Sequence, residues 1–74
     1  IAFAVPIAGP VRLQVLDVGG RVVATLVENP RDAGWHEVVW DGRSEDGRSM
    51  PSGVYLARLE AGGQVAHGRM TLLR

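Results

Sequence analysis

The apolar residues of this chain recur at every second position, and wherever the alternation stops a glycine or proline stands. A period of two places successive side chains on opposite faces of an extended strand, whereas a helix would need a period near 3.6. IAFAV opens the chain as a strand, stopped by Pro6, with Gly9 and Pro10 as a turn. VRLQVLDV follows, with Val11, Leu13 and Val15 on one face and Arg12 and Gln14 on the other. Gly19-Gly20 then separates it from RVVATLVE, and two glycines between β-branched runs predict a tight hairpin. ENPRDAG reads as a loop. WHEVVW alternates again, with His36, Val38 and Trp40 on one face and Trp35, Glu37 and Val39 on the other. After a long polar loop come VYLARLEA, a Gly62-Gly63 turn and QVAHGRMTLLR, in which Gly68 marks a bulge or a split. Six to seven short strands with no helical segment predict an all-β fold, a small antiparallel sandwich.

Length and composition narrow what such a sandwich can do. At 74 residues it is one domain, and a chain of that size buries only about 60 to 65% of its unfolded surface. An apolar content of 46% is normal for a globular fold and too rich for a disordered tail. The eight arginines balance eight acids, and neither sign is concentrated, which argues against a nucleic-acid footprint. Without cysteine there is no disulfide framework and no thiolate metal site, so stability must come from packing, an oligomer or a neighbouring domain. Without lysine, the Lys–Asn isopeptide crosslink of some surface modules is excluded. No apolar run approaches the roughly 20 residues of a membrane helix. The chain begins at Ile1, not Met, and has no signal-peptide pattern, so a piece of a longer precursor is expected.

Three sets of residues invite chemistry. Asp41, Glu45 and Asp46 could offer oxygens to calcium, but the glycine spacing does not fit a calcium loop and Arg43 and Arg48 would repel the ion. Asp41-Gly42 and Asp46-Gly47 read better as successive turns, their carboxylates bonded to nearby backbone N–H groups. Ser44, Ser49 and Ser52 share the chain with His36 and His67, yet no nucleophile-elbow pattern surrounds any serine and the volume for a substrate cleft is small. Two histidines without cysteine are too few for a metal site. Neither enzyme activity nor a cofactor or small-molecule substrate is expected. Of the aromatics, Trp40 shares the face of Val38 and is assigned to the interior. Trp35, after Gly34, is the more exposed and the better candidate for a partner contact. Tyr55 is expected to bury its ring and tie its hydroxyl to backbone.

VRLQVLDVGGRVVATLVE, AGWHEVVWDGRSEDGRSMPSGVYLARLEAGG and HGRMTLLR together resemble the C-terminal immunoglobulin-like domain shared by flagellar hook-capping proteins and the type A sorting domains of type IX secretion. The resemblance rests on Asp17, Gly20 and Arg21; on Val23 and Leu26; on Gly34, His36, Val38, Trp40, Asp41, Gly42 and Gly47; on Ser52, Gly53 and Tyr55; and on Arg69, Met70 and Leu72. It implies a single Ig-like, fibronectin-III-like domain over residues 1–74, at the C-terminal end of a longer exported bacterial protein.

The resemblance implies protein partners. In a sorting role the module would be secreted or held at the cell surface after export across the outer membrane. The Gly53/Tyr55 strand and the Arg69–Arg74 end, including Met70, Leu72 and Arg74, would then meet the secretion machinery, with an upstream cargo domain attached. In a hook-cap role it would be part of an assembly scaffold. A third expectation comes from IAFAVP, a first strand able to pair edge to edge with copies of itself into a filament.

Overall fold

The computed structural model describes residues 1–73. Six strands form two antiparallel sheets: β1 (Ala2–Val5), β2 (Gly9–Leu16), β3 (Val22–Arg31), β4 (Gly34–Glu37), β5 (Gly53–Ala61) and β6 (Gln64–Leu72). The larger sheet has the order β3-β2-β5-β6, and β1 pairs with β4 in the smaller. The all-β sandwich expected from the alternation is therefore present.

β1, β2, β3 and β5 supply the buried core. Phe3 and Val5 of β1 meet Val11, Leu13, Val27, Ala57 and Ala61 of the larger sheet, with Ile1, Val38 and Leu59 at the margin. Val15, Val23, Ala24 and Tyr55 form a second cluster at the other end, with Trp40, Met50, Met70 and Leu72 around it. Burying aliphatic side chains at about 25 cal/mol per Å² is the driving term. The predicted polar positions Arg12 and Gln14 fall on the outer face of β2 and are half-exposed.

Three joints differ from the sequence reading. Residues 28–31, expected in a loop, continue β3 and pair with Gly9 to Arg12 of β2. Pro10 and Pro30 stand opposite one another there. β3 is an edge strand, so a residue without N–H is tolerated. The β2–β3 joint is a three-residue loop, Val18 to Gly20, closed by the Asp17 N–H on the Arg21 carbonyl at 2.9 Å. Asp17 Oδ1 also accepts from the N–H groups of Gly19 and Arg21, at 2.9 and 3.0 Å, and Gly20 carries the positive φ of 86° that such a loop requires. Gly68 neither bulges nor splits β6, since pairing with β5 runs unbroken from Gly53↔Leu72 to Ala61↔Gln64. The register shifts lie in β2–β3 instead, at Leu13/Gln14 and Val15/Leu16. Gly62-Gly63 is the two-residue turn expected, with φ of 58° and 75°.

β4 is shorter than WHEVVW suggested. It ends at Glu37, Val38 still exchanges backbone hydrogen bonds with Ile1, and only beyond it does the chain leave the sheet, meeting β3 where the Glu45 N–H bonds the Val23 carbonyl. Trp40 accordingly lies beyond the strand, half-buried against the second cluster, and caps that end of the core instead of filling its centre.

Candidate interaction surface

The long loop between β4 and β5 is a corner built by its own side chains. Asp41 Oδ1 accepts from the Arg43 N–H at 3.0 Å, and an isolated bridge joins Arg43 to Ser49. The Ser44 N–H donates to Arg48 at 2.9 Å and the Gly47 N–H to Ser44 at 3.0 Å, making a small hairpin tip. Glu45 turns its carboxylate onto the Thr25 N–H, and the Glu45 N–H bonds the Val23 carbonyl at 3.0 Å, so the loop is stitched to β3. Asp46 accepts from the Ser44 hydroxyl and faces Arg48 Nε at 3.3 Å. The Ser44 bond first, and then Arg48, hold the Asp46 carboxyl below its ordinary value. Each of the three acids is thus engaged with the protein's own donors. Trp40 closes the corner, its indole N–H donating to the Arg43 carbonyl at 2.9 Å.

The candidates for nucleophilic chemistry are not brought together. Ser44 belongs to the loop tip, His36 lies at the small sheet with Nε2 2.7 Å from the Asp32 carbonyl, and His67 is on β6. The His36 ring stacks on Phe3, with centroids 5.5 Å apart. Among the described residues no group of three or more histidine, aspartate or glutamate side chains is placed to hold a metal ion.

The residues assigned to partner recognition divide between two places. The β5–β6 pairing sets Gly53 opposite Leu72, Tyr55 opposite Met70 and Leu56 opposite Arg69, so most of the set shares one end of the larger sheet. Within it, Tyr55 turns inward and is 4% exposed, with its hydroxyl donating to the Pro51 carbonyl at 2.7 Å, as expected of a corner tyrosine. Met70 and Leu72 are half-buried against the core, whereas Arg69 is exposed. Arg74 lies outside the described residues. Trp35 stands apart from this group, on the smaller sheet.

Trp35 is 78% exposed, and Val39, just beyond the end of β4, is 81% exposed. Across the pairing Ala4 stands opposite Trp35 and Ala2 opposite Glu37, both alanines exposed, so the outer face of the small sheet is mostly apolar, with Glu37 as its charge. Sequence reasoning singled out Trp35 but passed over Ala2, Ala4 and Val39. The alternation did carry that signal, because Val39 falls on the face of Trp35 and Glu37.

Residues 5–69 match the FlgD Ig-like domain. The chain belongs to the FlgD Ig-like domain family. Over 48 residues it is 42% identical to the basal-body rod modification protein FlgD of Salmonella typhimurium, and equally to that of Salmonella typhi. Those alignments take in 65% of this chain and 21% of each FlgD, so the chain spans about a fifth of the curated relatives it matches. No solved structure matches it.

Membership of the FlgD family corrects one expectation outright. A secreted or cell-surface location, reached through type IX export across the outer membrane, followed from the sorting half of the resemblance. The family matched is the flagellar half. The motifs quoted above are shared by both halves and could not separate them.

Proposed function

We infer that this domain is a non-catalytic structural module of the flagellar hook-cap type, contributing protein-binding surface to an assembly exported by the flagellar route. The observation that carries this reading is the match to the FlgD Ig-like domain over residues 5–69. A protein named for modification of the basal-body rod aligns with about two thirds of the chain. The geometry is consistent with such a role, since the loop acids and Ser44 are spent on holding a corner while apolar side chains stand on the outer face of a sheet. As one domain of a longer polypeptide, it would present Trp35 and Val39 to a protein partner, with Arg69 and the end of β6 as a second contact. A bacterium expressing the parent protein without residues 1–74 should show defective hooks by electron microscopy of purified basal bodies. Hooks of normal number and length in that strain would reject the scaffold role.

A further inference from the structure

The two sheets are unequal. Phe3 and Val5 of β1 pack on Val11, Leu13, Ala57 and Ala61, which places β1 above β2 and β5. β6, the next strand outward, then extends beyond it. The register sets Ala66 opposite Leu59 and Gly68 opposite Ala57, so Ala66 and Gly68 point to the inner face, yet both are exposed. Between the overhanging β6 and β1 runs a groove of about 380 Å³, floored by Ala57, Leu59, Ala66 and Gly68 and walled by Ile1 to Ala4, with Trp35 at its rim. A Cβ added at Gly68 would meet nothing within 4 Å.

The wall of this groove also has unpaired backbone. Ile1 exchanges both of its backbone hydrogen bonds with Val38, at 2.6 and 2.8 Å. In an antiparallel ladder such pairs alternate, so the N–H and C=O groups of Ala2 and Ala4 point away from β4, along the free edge of β1. Four backbone groups therefore face a space bounded below by apolar side chains. Those requirements are met by a further strand. A second copy docking its own β1 there is obstructed, because β6 of each sandwich projects past β1 and the two overhangs would collide. The occupant must be one strand thick.

We propose that the edge of β1 between Ala2 and Ala4, together with the inner face of Leu59, Ala66 and Gly68, is a binding slot for an extended segment of a partner protein with large apolar residues at alternate positions. The segment pairs with β1 and turns its apolar side chains onto β5 and β6, completing the smaller sheet. This goes beyond the scaffold reading, as it names the chemistry of the partner and does not depend on which assembly the domain serves.

The test uses the 74-residue chain and a probe peptide, acetyl-Thr-Leu-Thr-Leu-Thr-Leu-Thr-amide, followed by amide hydrogen exchange in NMR. Saturating free peptide should slow exchange at Ala2 and Ala4 roughly tenfold or more. Ala4→Pro removes an N–H that β4 does not use, is tolerated on an edge strand, and should abolish binding while leaving the rest of the spectrum folded. Gly68→Leu, which fills the slot from its floor, should weaken binding at least tenfold and serves if Ala4→Pro perturbs the fold. Protection seen only when the peptide is fused ahead of Ile1 through a flexible linker would assign the slot to a strand of the same polypeptide and overturn the partner proposal. Unchanged exchange at Ala2 and Ala4, protection along the outer edge of β6 instead, or a dimer of the chain alone in sedimentation would each overturn it as well.

Discussion

The hydroxyl of Tyr55 reaches back four residues to the carbonyl of Pro51, and the same ring receives the indole of Trp40 edge-on, with centroids 5.0 Å apart. One phenol thus fixes both ends of the long β4–β5 loop, its entrance through Trp40 and its exit through Pro51. Tyr55→Phe keeps the ring contact and removes only the hydrogen bond, which should cost about 1 kcal/mol. In a domain of this size that is a fall in Tm of about 4–8 °C, measurable by circular dichroism or calorimetry. An unchanged Tm would mean that water replaces the bond at no cost and that the loop exit is held by other contacts.

The Gly62-Gly63 turn makes a sharper prediction, because both residues have positive φ. Asparagine tolerates that region and a β-branched residue does not. Gly62→Asn should leave stability within about 0.5 kcal/mol of the parent, or raise it through a less flexible unfolded chain. Gly62→Val should cost roughly 1–2 kcal/mol. The Cβ itself has room, with Pro6 Cγ at 3.8 Å. Urea denaturation of the two variants separates backbone strain from crowding, since crowding would penalise both.

What was legible in the sequence follows from which interactions are local. Alternation placed Val11, Leu13 and Val15 inward and set Val38 apart from Trp35, because side-chain direction along a strand depends only on residue parity. The Asx turns of the loop and the Tyr55 bond were likewise readable, each linking residues two to four apart. The joints were less so. Pro30 reads as a breaker until β3 is known to be an edge strand, and the length of the β2–β3 loop is decided by the Asp17 carboxylate capturing two N–H groups. The slot beside β1 was hidden altogether, since the exposure of Ala66 and Gly68 depends on how far one sheet overhangs the other. Alternation carries no information about that.

Acid should loosen the loop tip before it affects the sheets. Asp46 is held below its ordinary value by the Ser44 hydroxyl and then by Arg48. A carboxyl whose folded value is depressed contributes stability above its unfolded value, and loses it as pH falls through the folded one. The tip is therefore fully ordered at neutral pH and loosens only below the usual aspartate range of about 4. Amide shifts of Ser44 to Arg48 followed by NMR should move together in that window, and Asp46→Asn should abolish the transition. A transition that persists in Asp46→Asn would show that Asp46 is not its source.

On the outer face of the larger sheet, Arg12 stands directly opposite Glu60, its Nη2 lying 2.9 and 2.7 Å from the two carboxylate oxygens, while Arg58 reaches the same carboxylate at 3.0 Å. One acid is thus shared by two arginines, and both bonds from Arg12 come from a single nitrogen, so the paired geometry that strengthens an arginine fork is missing. All three side chains keep substantial contact with solvent, which screens the attraction. Glu60→Gln should accordingly cost less than about 1 kcal/mol in low salt. Because the two arginines would then face each other without a counter-charge, part of that cost is repulsion, and it should shrink as ionic strength rises toward 1 M, where the screening length falls to about 3 Å. Denaturant midpoints for both chains across a salt series decide the matter. A loss that stays constant with salt would show that the carboxylate acts through geometry, by holding β2 and β5 in register, and not through charge.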